Sequence, residues 1–131
     1  MIIGVGLDVV HVSRLEHWQK IPGLLERYFH PEELSASMSR GSGAILSLAA
    51  RFAAKEAFGK AIGTGLGGIT LKNILVLNNH NGKPCMHLFG NAQEAFEKCG
   101  GESIHLSLTH ERDNALAVVI IEGGLHVCPE K

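Results

Sequence analysis

Hydrophobic and polar positions change period several times along the chain, and each change marks an element. Over residues 2–12 β-branched side chains dominate, interrupted by Gly4 and Gly6, the pattern of a buried strand that another backbone or a ligand approaches closely. Ser13 has the chemistry of a helix N-cap and Glu16 completes a capping box, so a short helix is predicted to start near Arg14. Pro22 and Phe29-His30-Pro31 divide the next stretch into short helical pieces. The last opens on Pro31-Glu32-Glu33, where a missing donor and acidic side chains suit a first turn.

Residues 42–62 give the strongest pattern. Alanines at 44, 49, 50, 53, 54, 57 and 61 favour a helix, and Ile45, Leu48, Phe52 and Ile62 can share a broad apolar face close against a sheet. A strand is predicted over 69–77, then a turn at Asn79-His80-Asn81-Gly82-Lys83-Pro84 and a returning strand over 85–89. Residues 90–99 read as a short amphipathic helix stopped by Gly100-Gly101, and 103–109 with 115–122 as a second hairpin. The expectation is one α+β domain over 1–124, a long helix packed on a largely antiparallel sheet, followed by a loose tail over 125–131.

Composition narrows the function classes. The chain has 131 residues, 13 acidic and 12 basic, a net charge of -1, and 45% hydrophobic content, which supports a real core and argues against a strongly basic nucleic-acid binder. Three scattered cysteines, Cys85, Cys99 and Cys128, fit neither a disulfide framework nor zinc spacing. With no signal-peptide pattern and no apolar run near the ~18 residues of a membrane span, a cytoplasmic protein without membrane partners is expected. Gly63, Gly65 and Gly68 match G-x-G-x-x-G, but they end a helix and lead into a strand, the reverse of a dinucleotide site, so they read as a C-cap and connection. Neither Gly59-Lys60 nor Gly82-Lys83 is followed by the Ser or Thr of a phosphate-binding P-loop.

Three places can carry chemistry. Asp8, in an otherwise apolar strand, is either a solvent-reaching strand-end residue or a paired or metal-bound carboxylate. On the long helix, Glu56 and Lys60 stand one turn apart and read either as a surface ion pair or as part of an anion site. Arg40, Arg51, Lys55 and Lys60 face only Glu56 within residues 40–60, a local surplus of positive charge. Two carboxylates with flanking cations suit Mg²⁺ on a diphosphate, because that ion is held by one or two protein carboxylates plus substrate phosphates. Strand alternation puts His105, Ser107 and Thr109 on one face, either merely solvated or touching a phosphate or sugar.

Gly4-Val5-Gly6-Leu7-Asp8 with Arg14, Arg51-Phe52-Ala53-Ala54-Lys55-Glu56-Ala57-Phe58-Gly59-Lys60-Ala61, Asn81-Gly82-Lys83-Pro84 and Leu106-Ser107-Leu108-Thr109-His110 resemble, in order and spacing, the bacterial holo-[acyl-carrier-protein] synthase family. The resemblance covers residues 2–122. It implies a 4'-phosphopantetheinyl transferase that moves the phosphopantetheine arm of coenzyme A to a serine of an apo acyl carrier protein in fatty acid biosynthesis, releasing adenosine 3',5'-bisphosphate. Asp8 and Glu56 match the family's Mg²⁺ carboxylates, and Lys60 a phosphate-contacting lysine. Arg51, Asn81, Gly82, Lys83, Pro84 and His105 match positions that contact the nucleotide. Glu56, or a water it orients on the metal, is the candidate base. The resemblance further implies a homotrimer with sites shared between subunits, and an acidic carrier docked on Arg14, with Lys20 and Arg27. The rival readings are a non-catalytic module of this fold that binds coenzyme A or a carrier, and a plain trimeric interaction protein.

Overall fold

The computed structural model describes residues 1–124, so the tail expected to be loose, 125–131, and Cys128 within it lie outside the described residues. Strand β1 (Ile2–His11) runs straight into helix α1 (Val12–Gln19), followed by α2 (Leu24–Tyr28) and α3 (Pro31–Met38). A 3₁₀ turn over Gly41–Gly43 leads into the long α4 (Ala44–Ile62). Then come a second 3₁₀ turn (Leu71–Asn73), β2 (Ile74–Asn78), β3 (Pro84–Leu88), α5 (Gly90–Lys98), β4 (Gly101–His110) and β5 (Asn114–Gly123). One antiparallel sheet has the order β1-β5-β4, and β2 and β3 form a separate hairpin. The expected α+β architecture is present.

Helix α4 lies on the inner face of the large sheet, and the closeness is set by glycine. A Cβ at Gly6 would stand 1.8 Å from the Ala57 carbonyl oxygen and one at Gly4 1.9 Å from that of Ala61, so the strand and helix backbones touch. Ala53, Ala57 and Ala61 face this seam and are buried.

Four expectations need correction. Helix α1 starts at Val12 with His11 as N-cap, because the Val12 N–H is taken by the Asp113 carbonyl at 2.9 Å; the Ser13–Glu16 capping box does not form. Residues 69–73 are not strand: they hold the Leu71–Asn73 turn, and β2 starts at Ile74. The broad apolar face expected of α4 extends nearly all round the helix, and burial includes Arg51 and Lys55. Strand β1 is buried only on its inner face, since Val5, Leu7 and Val9 point outward and are 56%, 58% and 50% exposed.

Candidate active site

Asp8 lies on the inner face of β1, opposite Ala117 of β5, and so points toward α4 rather than into solvent. Its side chain is 15% exposed, and its Oδ1 accepts a 2.9 Å bond from Lys60 Nζ, which also donates to the Leu7 carbonyl. The Glu56–Lys60 surface pair is therefore replaced by an Asp8–Lys60 pair between strand and helix. Glu56 stands one turn before Lys60 on the same helix. Burial, and then the negative charge of Asp8, push the Glu56 carboxyl above the usual glutamate range, while Arg14 and Lys60 pull it back. Two carboxylates that repel each other at the bottom of a strand–helix seam form a natural seat for a cation. No cluster of three or more His, Cys, Asp or Glu ligands exists among the described residues. Two carboxylates nonetheless match a hard ion that takes the rest of its oxygens from water and phosphates.

Arg14 joins this seam from α1. Its guanidinium lies 5.2 Å from the ring centres of both Trp18 and Phe52, a packing that holds an exposed cation near Glu56. Lys20 and Arg27 are exposed on neighbouring segments, at the end of α1 and in the last turn of α2.

A second cluster lies elsewhere. A cavity of about 480 Å³ is lined by Arg40, Ser42, Ser47, Arg51, Asn78 and His110 among others. It continues, through Asn78 and Leu108, into one of about 380 Å³ that includes Gly82, Lys83 and Pro84. A smaller one of about 190 Å³ joins Lys83 and Pro84 to His105. The turn that shapes this groove is held by Asn79, whose Oδ1 accepts from the Asn81 and Lys83 amides, with Gly82 at φ 82°. His105 pairs with Glu122 across the outer face of the sheet, and this partner lowers the Glu122 pKa.

The two clusters do not meet within one chain. Asp8 and His105 sit on the two outer strands of the sheet, separated by β5, and point to opposite faces: Asp8 is in register with Ala117 and Leu108 on the inner side, His105 with Ile120 and Val5 on the outer. None of the three cavities of the second cluster is lined by Asp8, Glu56 or Lys60.

The local cationic surplus also dissolves in part. Lys55 is fully buried against Glu33 at 2.9 Å, and Arg51 gives its Nε to the Val76 carbonyl at 2.8 Å and its Nη1 to Ser37 and Ser47. Burial lowers the pKa of both, Glu33 opposing the shift in each case. Arg51 still lines the cavity of about 480 Å³, but Lys55 faces only the interior. In the sequence Glu33 reads as an ordinary first-turn acid; only the packing of α3 against α4 shows it as the partner of Lys55.

Comparison with known proteins finds a consistent set. The family model of the 4'-phosphopantetheinyl transferase superfamily matches residues 4–119. A holo-[acyl-carrier-protein] synthase of Treponema denticola is 60% identical over 123 residues, covering 94% of this chain and all of that protein. One from Syntrophus aciditrophicus is 44% identical, covering 94% and 98%. Among solved structures, the Neisseria meningitidis enzyme aligns with a TM-score of 0.84 at 35% identity, covering 93% of this chain and 99% of that one. The Bacillus anthracis enzyme, in complex with CoA (3',5'-ADP), aligns at 0.77 and 31%, covering 95% and 99%.

Proposed function

The chain belongs to the holo-[acyl-carrier-protein] synthase family of phosphopantetheinyl transferases, and from that premise we propose that it performs the Mg²⁺-dependent transfer of 4'-phosphopantetheine from coenzyme A to a serine of apo acyl carrier protein, releasing adenosine 3',5'-bisphosphate. The observation that carries the reading is the convergence of Asp8, Glu56 and Lys60 at the strand–helix seam. The carrier serine oxygen forms a bond to the β-phosphorus, the bond from that phosphorus to the bridging oxygen breaks, and its electron pair leaves on the nucleotide phosphate. Asp8 and Glu56 would hold Mg²⁺, which would supply charge neutralisation and orientation at the diphosphate. Lys60, already donating to Asp8, places its ammonium where it can also donate to the departing phosphate oxygens. Glu56, one turn from Lys60 in the same seam, accepts the serine proton directly or through one water.

Arg51, the Asn81–Pro84 turn and His105 hold the nucleotide and its 3'-phosphate. Because these residues and the carboxylates occupy separate places in one chain, a neighbouring copy completes each site. The exposed stripe Val5, Leu7 and Val9, beside half-buried Leu116, Val118 and Ile120, supplies an apolar face for that contact, and a homotrimer is the arrangement we assign. Arg14, with Lys20 and Arg27, docks the acidic carrier. No helix among the described residues is long and apolar enough to cross a membrane, and we place the reaction in the cytoplasm, on the carrier of fatty acid biosynthesis.

The test is mass spectrometry of an apo carrier after incubation with the protein, coenzyme A and Mg²⁺. The carrier should gain one phosphopantetheine, and Asp8→Asn or Glu56→Gln should abolish the gain with the circular dichroism spectrum unchanged. Coenzyme A binding without any gain across several apo carriers would instead identify a non-catalytic binding module.

A further inference from the structure

Among the described residues strand β2 has a strand partner on one side only: Val76 pairs with Met86 of β3, and no described strand flanks its other edge. That open edge is buried, and its backbone groups are met by three charged side chains from two helices. Glu33 Oε2 of α3 accepts from the Val76 N–H at 2.8 Å, Arg51 Nε of α4 donates to the Val76 carbonyl at 2.8 Å, and Lys55 Nζ of α4 donates to the Ile74 carbonyl. Lys55 spends its other two N–H groups on the Leu71 carbonyl and Glu33 Oε1, both at 2.9 Å, so its ammonium is fully satisfied. Glu33 Oε1 also accepts from the His30 N–H at 2.9 Å. Glu33 and Lys55 are both completely buried.

A buried ion pair is weak evidence for stability, since apolar residues of similar volume often serve as well, but a pair that reads backbone positions one by one can specify register. We propose that Glu33 and Lys55 are positioning residues: they clamp the open edge of β2 so that the β2–β3 hairpin holds its Asn81–Pro84 turn at one fixed place relative to α4. The clamp stands in for a neighbouring strand, and it ties the nucleotide-contacting turn to the helix that carries Glu56 and Lys60. Lys55 grips the hairpin on one side of α4, and Glu56, the next residue, faces the seam with Asp8. The inference rests on the nucleotide role assigned to that turn.

The decisive variant is Glu33→Gln with Lys55→Met, which removes both charges at nearly constant volume, whereas Lys55→Met alone strands a buried carboxylate and is expected to unfold the chain. In the double variant the KM for coenzyme A should rise about tenfold, with kcat within about threefold and the KM for carrier within about twofold of wild type. A folded double variant with an unchanged coenzyme A KM, or with both KM values raised equally, overturns the proposal. Wild type needs no variant for a second readout. Coupling is reciprocal, so coenzyme A bound at the turn must slow hydrogen exchange at the Val76 and His30 amides. Exchange at those amides indifferent to coenzyme A also overturns it. Wild type that neither binds coenzyme A nor modifies a carrier sinks the functional reading and this inference with it; a working wild type beside an unaffected double variant sinks the inference alone.

Discussion

Gly6→Ala tests the closeness of β1 to α4, on which the whole candidate metal site depends. The added Cβ would stand 1.8 Å from the Ala57 carbonyl oxygen and 2.8 Å from the Ala61 nitrogen, all backbone atoms that no rotamer change can remove. Reaching even 3.0 Å, below which Cβ contacts essentially never occur, needs about 1.2 Å of separation. Strand β1 is held by β5 along almost its full length, so the helix must give, opening the seam packed by Ala53, Ala57 and Ala61. Overpacking of this kind costs about 3 kcal/mol, which in a domain of this size lowers Tm by roughly 10 °C. Asp8 lies two residues along the same strand, so it is displaced from Glu56 by a comparable distance, and a shift of about 1 Å at reacting groups can cost about 100-fold in rate. The assay pairs a thermal melt with phosphopantetheine transfer measured well below both transitions. Gly67→Ala is the control, since nothing lies within 4 Å of a Cβ there and its φ is not in the left-handed region. A Gly6→Ala protein that melts within about 3 °C of wild type and retains its rate would refute the close-approach argument.

Three further outcomes are expected. Glu56 has a folded pKa above its unfolded value, through burial and then Asp8, so its contribution to stability is present below the unfolded value and is lost as pH rises through the folded one. A bound cation relieves that loss, and Mg²⁺ should raise Tm more at about pH 7.5 than at about pH 4.5; an increment independent of pH contradicts the site. Leu7→Glu places a charge on the outward apolar stripe and should lower the mass measured by light scattering while leaving circular dichroism intact, and an unchanged mass argues against that face as the subunit contact. Arg14→Glu should raise the KM for carrier more than that for coenzyme A, and equal effects count against a docking role; it also forfeits the contacts with Trp18 and Phe52, worth about 1 kcal/mol.

Local chemistry makes much of the fold legible in the sequence. The Asn81-Gly82 turn, the Gly63 stop of α4 and the glycine-marked seam of β1 each follow from one or two residues and their neighbours. What depends on distant partners was not legible. Val12 starts α1 because the Asp113 carbonyl, from the turn between β4 and β5, takes its N–H. Lys55 looked like part of a cationic surface because a helix with Arg51, Lys55, Glu56 and Lys60 has enough charge for a solvated face. Glu33, from a separate helix, made burial of Lys55 possible. The signal that could have found the pair was the absence of a polar stripe: between Leu48 and Ala61 the residues flanking Lys55 are apolar at almost every helical spacing, which leaves an ion pair as the means of keeping a lysine there.

The separation of Asp8 from His105 has a consequence that mixed assemblies can expose. If the carboxylates of one subunit work with the nucleotide-holding groups of the next, a chain with Asp8→Asn still lends a good His105 to its neighbour, and a chain with His105→Ala still lends a good Asp8. The His105 side chain is exposed and meets Glu122 on the outer face, so its removal should leave the fold intact. Each variant alone should be close to inactive. Unfolded together in equal amounts and refolded, the chains assort at random, and a site works when an intact carboxylate pair from one variant meets an intact His105 from the other. For a cyclic assembly that happens at about one quarter of the sites, so about a quarter of the wild-type rate should return. If His105 and Asp8 of the same chain served one site, every site in the mixture would carry one defect whatever its neighbours, and no activity would return. Recovery therefore measures subunit sharing directly, without a structure of the assembly.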